Sequence, residues 1–597
     1  MLEPRKLTDN RLARISLFII GLMWFLPFLE YRHTNPVPSF YSEWWAALLG
    51  SLAMILLVFP GSWKPLEIPR IVLLPVTLSV VVLLQTALGK VAYFNQALLF
   101  LLYLLFAGML MVLGAQLRNR FGLAGIAVTL GMFVLAGAEL NSLAGMLQYY
   151  HLHTPLDTVV LEQIYSGAYG NLSQSNHFAD YLSLGLISLG FLYRKRSWKP
   201  GYVLLLALPI LYAMKLSGSR SVLLYLLLMF GAAWWLEWRD AGKRMLVRYG
   251  LLLLLGFAAM FVITRYVAVP AAGGQIAGMV VPRPFGDVAS GNIRLYIWRE
   301  SLLMFMQSPW LGAGLGQFAW NHFQLLPALR ANFIHGYFVN GHNIVLHLAA
   351  EMGAAGVLAL LVPTGIWLYG QRGVAMSLDR WWAYVILGVL TIHSLLEYPM
   401  WYTYFLGIAA FLAGALDGNS YRARSGITGS ISVAIVVAFV CGLLVNMLIG
   451  YGKLERTLAI YPQSPDDQAA YDRIREGLLD AQQHLPLLSQ YADITMSGRI
   501  QVNPEHLREK LALNSRVLNF HPMGALAYRQ ALLLAQNGQQ QQAKITMEQS
   551  IWSFPQWYPE IRRQMVELSG KDPAHFSSLL EFADRVNQEH ASAVHQQ

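Results

Sequence analysis

Between residues 12 and 450 the chain is a succession of about thirteen apolar segments, most near the ~20 residues that cross a ~30 Å hydrocarbon core as a helix. They run near 12–30, 43–60, 71–89, 96–117, 121–149, 177–194, 202–217, 220–237, 248–268, 343–371, 381–396, 400–417 and 429–450. In lipid every backbone N–H and C=O must be satisfied within the protein, which leaves the helix as the natural form for such a series. Only 13% of the 597 residues are charged, about half the share expected of a soluble chain. The pattern predicts an all-α polytopic membrane protein. The first segment does not read as a cleavable signal peptide, because no small-residue cleavage site follows it and many more spans come after.

Loop charge sets the expected orientation, since lysine and arginine accumulate on the cytoplasmic side. The N-terminus carries Arg5, Lys6, Arg11 and Arg14. Alternate loops carry Lys64 and Arg70; Arg118 and Arg120; Arg194, Lys195, Arg196 and Lys199; Arg239, Lys243, Arg244 and Arg248; Arg372 and Arg380; Arg422 and Arg424. The loops between them are nearly empty of such charge, with Arg32 and Lys90 the main exceptions. The N-terminus is therefore expected in the cytoplasm, and about thirteen spans place the C-terminal tail outside. The net charge of +10 reads as topology and contact with anionic lipid. No basic stripe with interleaved aromatics is present, so nucleic acid is not an expected partner. The single cysteine, Cys441, permits neither an internal disulfide nor a thiolate metal cluster, and reads as a small core residue.

With this orientation the polar residues of the apolar region fall at one side. Gln174, Asn176, His177, Arg220, Arg294, His342, Asn343, His347, Glu351, His393, Glu397 and Tyr402 all lie at or near outward-facing ends. A bilayer tolerates such residues where they have a function, and one polar site on the outer face would account for them together.

Two outward segments exceed simple connectors. Residues 269–341 hold Gly273-Gly274, Pro282 and Pro284, followed by an amphipathic helix expected from Asn292 to Gln307. Residues 451–597 form a polar, glutamine-rich, largely helical tail, set apart from a transmembrane region of residues 1–450. Within the tail Val517 and Phe520 recur as Ile551 and Phe554, a spacing of 34 residues, and Pro522 is echoed by Pro555, with a turn at Asn537-Gly538. A helix–turn–helix period of about 34 is that of tetratricopeptide repeats; a plain helical hairpin is the other reading. Either is a small domain suited to holding another protein.

Several strings carry chemistry. In HNIVLHLAAEMGAAG, His342 to Gly356, the spacing of Asn343, His347 and Glu351 puts them on one helix face, and Gly353 and Gly356 permit close helix packing. His347 and Glu351 could share an ion, but no second pair at ligand spacing stands out. In HSLLEYPMWYTYF, His393 to Phe405, the aromatics suit an interfacial belt, whereas Glu397 in a tight outer turn suits the orienting of a base. Arg220 in SGSRSVLLY and Arg294 in NIRLYIWRESL either snorkel to the interface or grip a phosphate bidentately. Two such arginines at one polar site favour a bound diphosphate. Gln174, Asn176 and His177, in GNLSQSNHFADY, supply hydrogen bonds to a sugar or to phosphates, and the Asn171-Leu172-Ser173 sequon reads as incidental.

HNIVLHLAAEMGAAG, with WLGAGLGQF upstream, resembles the O-antigen ligase/polymerase superfamily. HSLLEYPMWYTYF, SQSNHFADY and the helical tail narrow the resemblance to PglL-type bacterial protein O-oligosaccharyltransferases. The resemblance covers most of the chain and is weakest in 269–341. It implies an inner-membrane protein with a periplasmic site. It implies transfer of a preassembled glycan from undecaprenyl diphosphate to a serine or threonine of a secreted protein, typically a pilin. The family's essential histidine falls on His342, its glutamine on Gln174 and its tyrosine on Tyr402; the two arginines of the ligase branch fall on Arg220 and Arg294.

The residue chemistry fits that reaction. A diphosphate leaves readily once its charge is neutralised, and a hydroxyl nucleophile needs a base, for which His342 is the candidate with Glu397 as its orienter. No carboxylate pair presents itself for a metal at the outer face, so a metal-independent reaction without cofactor is expected. Two rivals remain at this stage. An O-antigen ligase or polymerase has a sugar as acceptor, and the long outer tail argues against it. A non-enzymatic lipid-glycan transporter shows internal repeats and midplane polar sites, and neither is seen here.

Overall fold

A computed structural model describes residues 4–59, 61, 66–238, 244–266, 290–330, 336–423, 426–464 and 467–595. The loop bases Lys64, Arg239, Lys243 and Arg424, the side chains of Arg5 and Lys6, Gly273-Gly274, Pro282 and Pro284 lie outside the described residues. Among the described residues helix runs through each apolar segment, and eight helical runs are long and apolar enough to cross a membrane. The longest, Phe94–Tyr149, has 56 residues, or about 84 Å at 1.5 Å per residue, and cannot cross a single ~30 Å core once in a straight line. Its backbone leaves helical geometry at Gly122 (φ 65°, ψ 165°), which divides it into the two segments expected there. The Ser175–Arg196 and Leu378–Leu396 helices are not among the eight, and they are the two that carry His177, Asp180 and His393.

The chain divides into two compact units. The first comprises Met1–Thr77, Tyr103–Gly291 and Leu360–Val445. Its core is aromatic: Trp24 stacks on Trp382 at 6.1 Å, and Phe28 lies on Tyr181 at 3.9 Å and edge-on to Phe405 at 5.3 Å. The Tyr181 hydroxyl donates to the Trp24 carbonyl, and the Trp382 indole N–H donates to Ser188 Oγ, so these two polar tips are satisfied inside the bundle. Glycines bring two backbones together. A Cβ on Gly114 would lie 2.3 Å from the Phe411 carbonyl, and one on Gly414 would lie 2.0 Å from that of Met111, so the Phe94–Tyr149 and Thr403–Leu416 helices touch through backbone.

Loops that share the same charge bias meet within this unit. Leu66–Pro69 pairs antiparallel with Ser420–Ala423, and Lys195 contacts Asp379 at 3.1 Å. The opposite set also meets: His33 Nε2 bonds to the Asn171 carbonyl, and Trp45 Nε1 donates to Glu30.

The second unit comprises Leu78–Leu102, Asn292–Ala359 and Asn446–Gln597. The amphipathic helix expected from Asn292 runs Ser290–Gln307. In the tail, Gly524–Gln536 and Gln540–Ser553 form an antiparallel pair about the Asn537-Gly538 turn, where Gly538 takes φ 74°. Val517 and Ile551, 34 residues apart, are both fully buried, and Phe520 and Phe554 each stand where a helix stops. Val517, Ile551 and Phe554 pack in one core with Phe318, Phe323, Tyr528 and Phe576.

Candidate active site

In the first unit the site begins with a loop pinned by buried side-chain amides. Gln148 Oε1 accepts from the amides of Tyr169 and Gly170, and its Nε2 donates to the Leu161 and Gly170 carbonyls. Asn171 Nδ2 donates to the carbonyls of Leu29 and Val159, so the sequon asparagine is buried and committed to structure. Gly170 takes φ 51° with the Phe178 ring 2.8 Å from where a Cβ would stand, a close approach that a larger residue would block. Gln174 follows as the residue before the Ser175–Arg196 helix, and its Oε1 is buried with no hydrogen-bond partner among the described residues. An acceptor left so is costly unless something donates to it.

Asn176 ties three elements. Its Nδ2 donates to Glu397 Oε1 at 3.0 Å, and its Oδ1 accepts from Ser219 Oγ at 2.8 Å. Glu397 is buried and caps the Leu378–Leu396 helix; Ser219 lies in the turn that precedes the Ser221–Trp238 helix. Arg220 follows Ser219 and is exposed, its backbone aimed by that turn, in which Gly218 takes φ 66°. His177 is buried with its ring edge-on to Tyr402 at 4.7 Å, and Tyr402 stacks on Tyr398 at 6.1 Å. Glu43 aims its carboxylate at the N-terminus of the Thr403–Leu416 helix, accepting from the Thr403 amide (2.7 Å) and hydroxyl (2.5 Å). This cap fixes the residue next to Tyr402.

The sequence reading missed Glu43, Ser219 and Asp180. Asp180 is fully buried and meets His393 Nδ1 at 2.7 Å. Its signal was present, since an aspartate one turn inside an apolar helix demands a partner. The partner lies 213 residues away, beyond any local spacing rule.

In the second unit the candidates are held by backbone. His342 has φ 48°, the left-handed region that a non-glycine residue occupies at a cost, which is characteristic of functional turns. Asn343 Oδ1 accepts from the amides of Val345 and Leu346 and so caps the Ile344–Gly370 helix. His347 Nδ1 accepts from the Gly341 amide, and its Nε2 lies 3.3 Å from the Glu351 carboxylate. Glu351 accepts from the amides of Gly316 and Phe318. The stripe expected from Asn343 to Glu351 thus faces inward and organises the Trp310–Phe318 loop.

That loop is WLGAGLGQF, and its glycines are obligatory. At Gly312 (φ 67°) a Cβ would lie 2.2 Å from the Glu351 carbonyl carbon, and at Gly314 (φ 118°) 2.0 Å from the Lys90 carbonyl oxygen. Gly353 differs from the expectation of helix–helix packing. It breaks its own helix (φ 63°, ψ −158°), and a Cβ there would strike the Trp310 backbone at 2.5 Å. The helix opens at that point to receive the loop. Arg294 stands half-buried on the Ser290–Gln307 helix. A further pair that sequence did not reveal, Glu300 and His322, is fully buried with 2.7 Å between them; Phe338 lies edge-on to His322 and to His342. No group of three His, Cys, Asp or Glu side chains suited to a metal ion occurs among the described residues.

The first unit therefore joins Asn176, Glu397, His177 and Tyr402, with Gln174 and Arg220 at adjoining chain positions. The second holds His342, Asn343 and Arg294. Three family models match in succession. Residues 168–193 match one described as protein glycosylation ligase, 202–362 one described as O-antigen ligase, and 381–567 one described as virulence factor membrane-bound polymerase, C-terminal. Every candidate residue lies inside one of them. The chain is also similar to a general O-oligosaccharyltransferase of Acinetobacter baylyi, 31% identical over 425 residues, which are 68% of this chain and 70% of that relative. The chain belongs to the PglL-type protein O-oligosaccharyltransferases. As a member of this family it is a multi-pass membrane glycosyltransferase that transfers glycan to protein. In the family's terms the first match carries Gln174, Asn176, His177 and Asp180, the second Arg220, Arg294, His342 and Asn343, and the third His393, Glu397 and Tyr402.

Proposed function

We propose that the enzyme transfers a preassembled glycan en bloc from undecaprenyl diphosphate to a serine or threonine hydroxyl of a secreted protein such as a pilin, on the periplasmic face of a bacterial inner membrane. His342 takes the hydroxyl proton. The hydroxyl oxygen then attacks the anomeric carbon, the bond from that carbon to the diphosphate oxygen breaks, and the electron pair leaves on the diphosphate. Arg220 and Arg294 neutralise the leaving charge. Gln174 and Asn343 offer hydrogen bonds to glycan or phosphate. Asn176 and His177 hold Glu397 and Tyr402 in place. The observation that carries this reading is the Asn176 clamp, which sets Glu397 and the turn before Arg220 at one end of the first unit.

The topology in the proposal has about thirteen spans, an N-terminus in the cytoplasm and a C-terminal tail, 451–597, forming a periplasmic tetratricopeptide-like domain that receives the acceptor. It is supported by the pairing of same-charge loops, Leu66–Pro69 with Ser420–Ala423 and Lys195 with Asp379. The test is reconstitution of the full chain with undecaprenyl diphosphate-linked oligosaccharide and a pilin. A pilin mass increase equal to one intact glycan is expected. Glycan found only on an added lipid-anchored core oligosaccharide would replace the protein acceptor with a sugar, the reading that the O-antigen ligase match favours.

A further inference from the structure

Two helices of the first unit, Ser175–Arg196 and Leu378–Leu396, are joined by two polar rungs. The outer rung is Asn176 Nδ2 to Glu397 Oε1 at 3.0 Å. The inner rung is His393 Nδ1 to Asp180 Oδ2 at 2.7 Å, with both side chains at 0% exposure. On each strand of this ladder the rungs are four residues apart, Asn176 to Asp180 and His393 to Glu397, so each pair stacks on one helical face. Backbone closes the frame, since the Glu397 amide donates to the His393 carbonyl at 2.7 Å. The His177 ring lies 5.3 Å from that of His393 and 4.7 Å from that of Tyr402. A tilt of His393 is therefore felt at Glu397 through the backbone and at Tyr402 through His177.

Stability does not account for the inner rung. Replacing a buried ionic pair by apolar side chains of similar volume is often neutral or stabilising, because desolvation consumes most of the attraction. What a short buried hydrogen bond supplies is a fixed distance and angle. Asp180 Oδ1 and His393 Nε2 have no hydrogen-bond partner among the described residues, so the pair is held by its one mutual bond and by packing.

We propose that Asp180 and His393 are positioning residues: they set the register of the two helices so that Asn176 meets Glu397 and Tyr402 keeps its place. The inference rests on Glu397 and Tyr402 belonging to the site.

The experiment uses full-length protein in nanodiscs, undecaprenyl diphosphate-linked oligosaccharide as donor, and a pilin or a lipid-anchored core oligosaccharide as acceptor. Turnover of His393→Phe should fall about 10²-fold, the scale of an ångström-sized misplacement. The donor KM should move less than about threefold, because neither residue touches the donor. Asp180→Asn keeps an acceptor oxygen and should lose only about tenfold. The double variant Asp180→Leu/His393→Phe should be no slower than His393→Phe alone, since the rung can be removed only once, and its melting temperature should stay near that of the wild type. Wild-type turnover in the double variant would overturn the proposal, as would single losses that multiply. If His393→Phe does not fold, Asp180→Asn decides the matter. It should slow the wild type but not an Asn176→Ala protein, and equal slowing in both would overturn the ladder. All readings are relative rates on whichever acceptor the wild type uses. Failure of the pilin assay alone therefore removes the acceptor assignment and leaves the ladder open to test on the sugar acceptor.

Discussion

The two places where the functional candidates gather are built by opposite means. In the first unit they are held by side chains that cross between helices far apart in sequence: Asn176 to Glu397 and Ser219, Asp180 to His393, Glu43 to Thr403. In the second they are held by backbone. His342 sits at a left-handed turn, Asn343 caps the next helix, and Glu351 grips the amides of a glycine loop. A backbone-built turn needs particular residues at particular short spacings, so it prints a motif. A side-chain ladder needs only that two compatible groups arrive opposite one another, so it prints none. The backbone-built turn does not tolerate gain of a Cβ at its glycines; the ladder does not tolerate loss of a side chain at its rungs.

The largest effect should come at His342, where backbone and chemistry coincide. His342→Ala should lose transfer by the 10²–10⁴-fold that general-base catalysis supplies, or more, with protein still recovered folded from the membrane. His342→Gly fits φ 48° without cost, so an equal loss there assigns the defect to chemistry and not to the turn. His342→Gln retains a donor but no base; near-normal turnover in it would move His342 to diphosphate binding.

A second pair of variants tests the contrast itself. Gly312→Ala puts a Cβ against the Glu351 backbone at φ 67°, and should destabilise the protein by at least about 1–3 kcal/mol, read as a lower melting temperature and yield. Ser219→Ala removes one bond to Asn176 and should leave melting within about 1 kcal/mol while slowing turnover. If Ser219→Ala melts early and Gly312→Ala does not, the comparison is wrong.

The smallest effect is one of pH and belongs to the tail. His521 is largely buried, with its imidazole 2.6 Å from the Tyr337 hydroxyl, and burial lowers its pKa from 6.5 to about 4. The unfolded chain takes up the proton first as pH falls, so stability is intact above about 6.5 and is lost progressively toward 4. The loss should be on the order of 1–3 kcal/mol by pH 4. His521→Phe should flatten the melting temperature over that range, and an unchanged slope would dismiss the histidine as its source.

These contrasts also mark what was legible in the chain. Sequence by itself determined the helical membrane class, because lipid forbids unsatisfied backbone and about 20 apolar residues have one way to cross. It located the Asn537-Gly538 turn, the helix ending at Gln307 and the strings around His342 and Gln174, since turns, caps and glycine approaches are local events with local spacing. It misread Gly353 as a packing glycine, because the chain segment that comes against it, Trp310 to Gly312, lies some forty residues upstream and leaves no periodic trace. It gave no sign that Asp180 answers His393, that Glu43 caps Thr403, or that Glu300 and His322 meet in the buried interior. A buried charge announces that a partner must exist, and desolvation is the reason. Which residue it is depends on how helices separated by hundreds of residues come to lie side by side, and only the packed tertiary structure decides that.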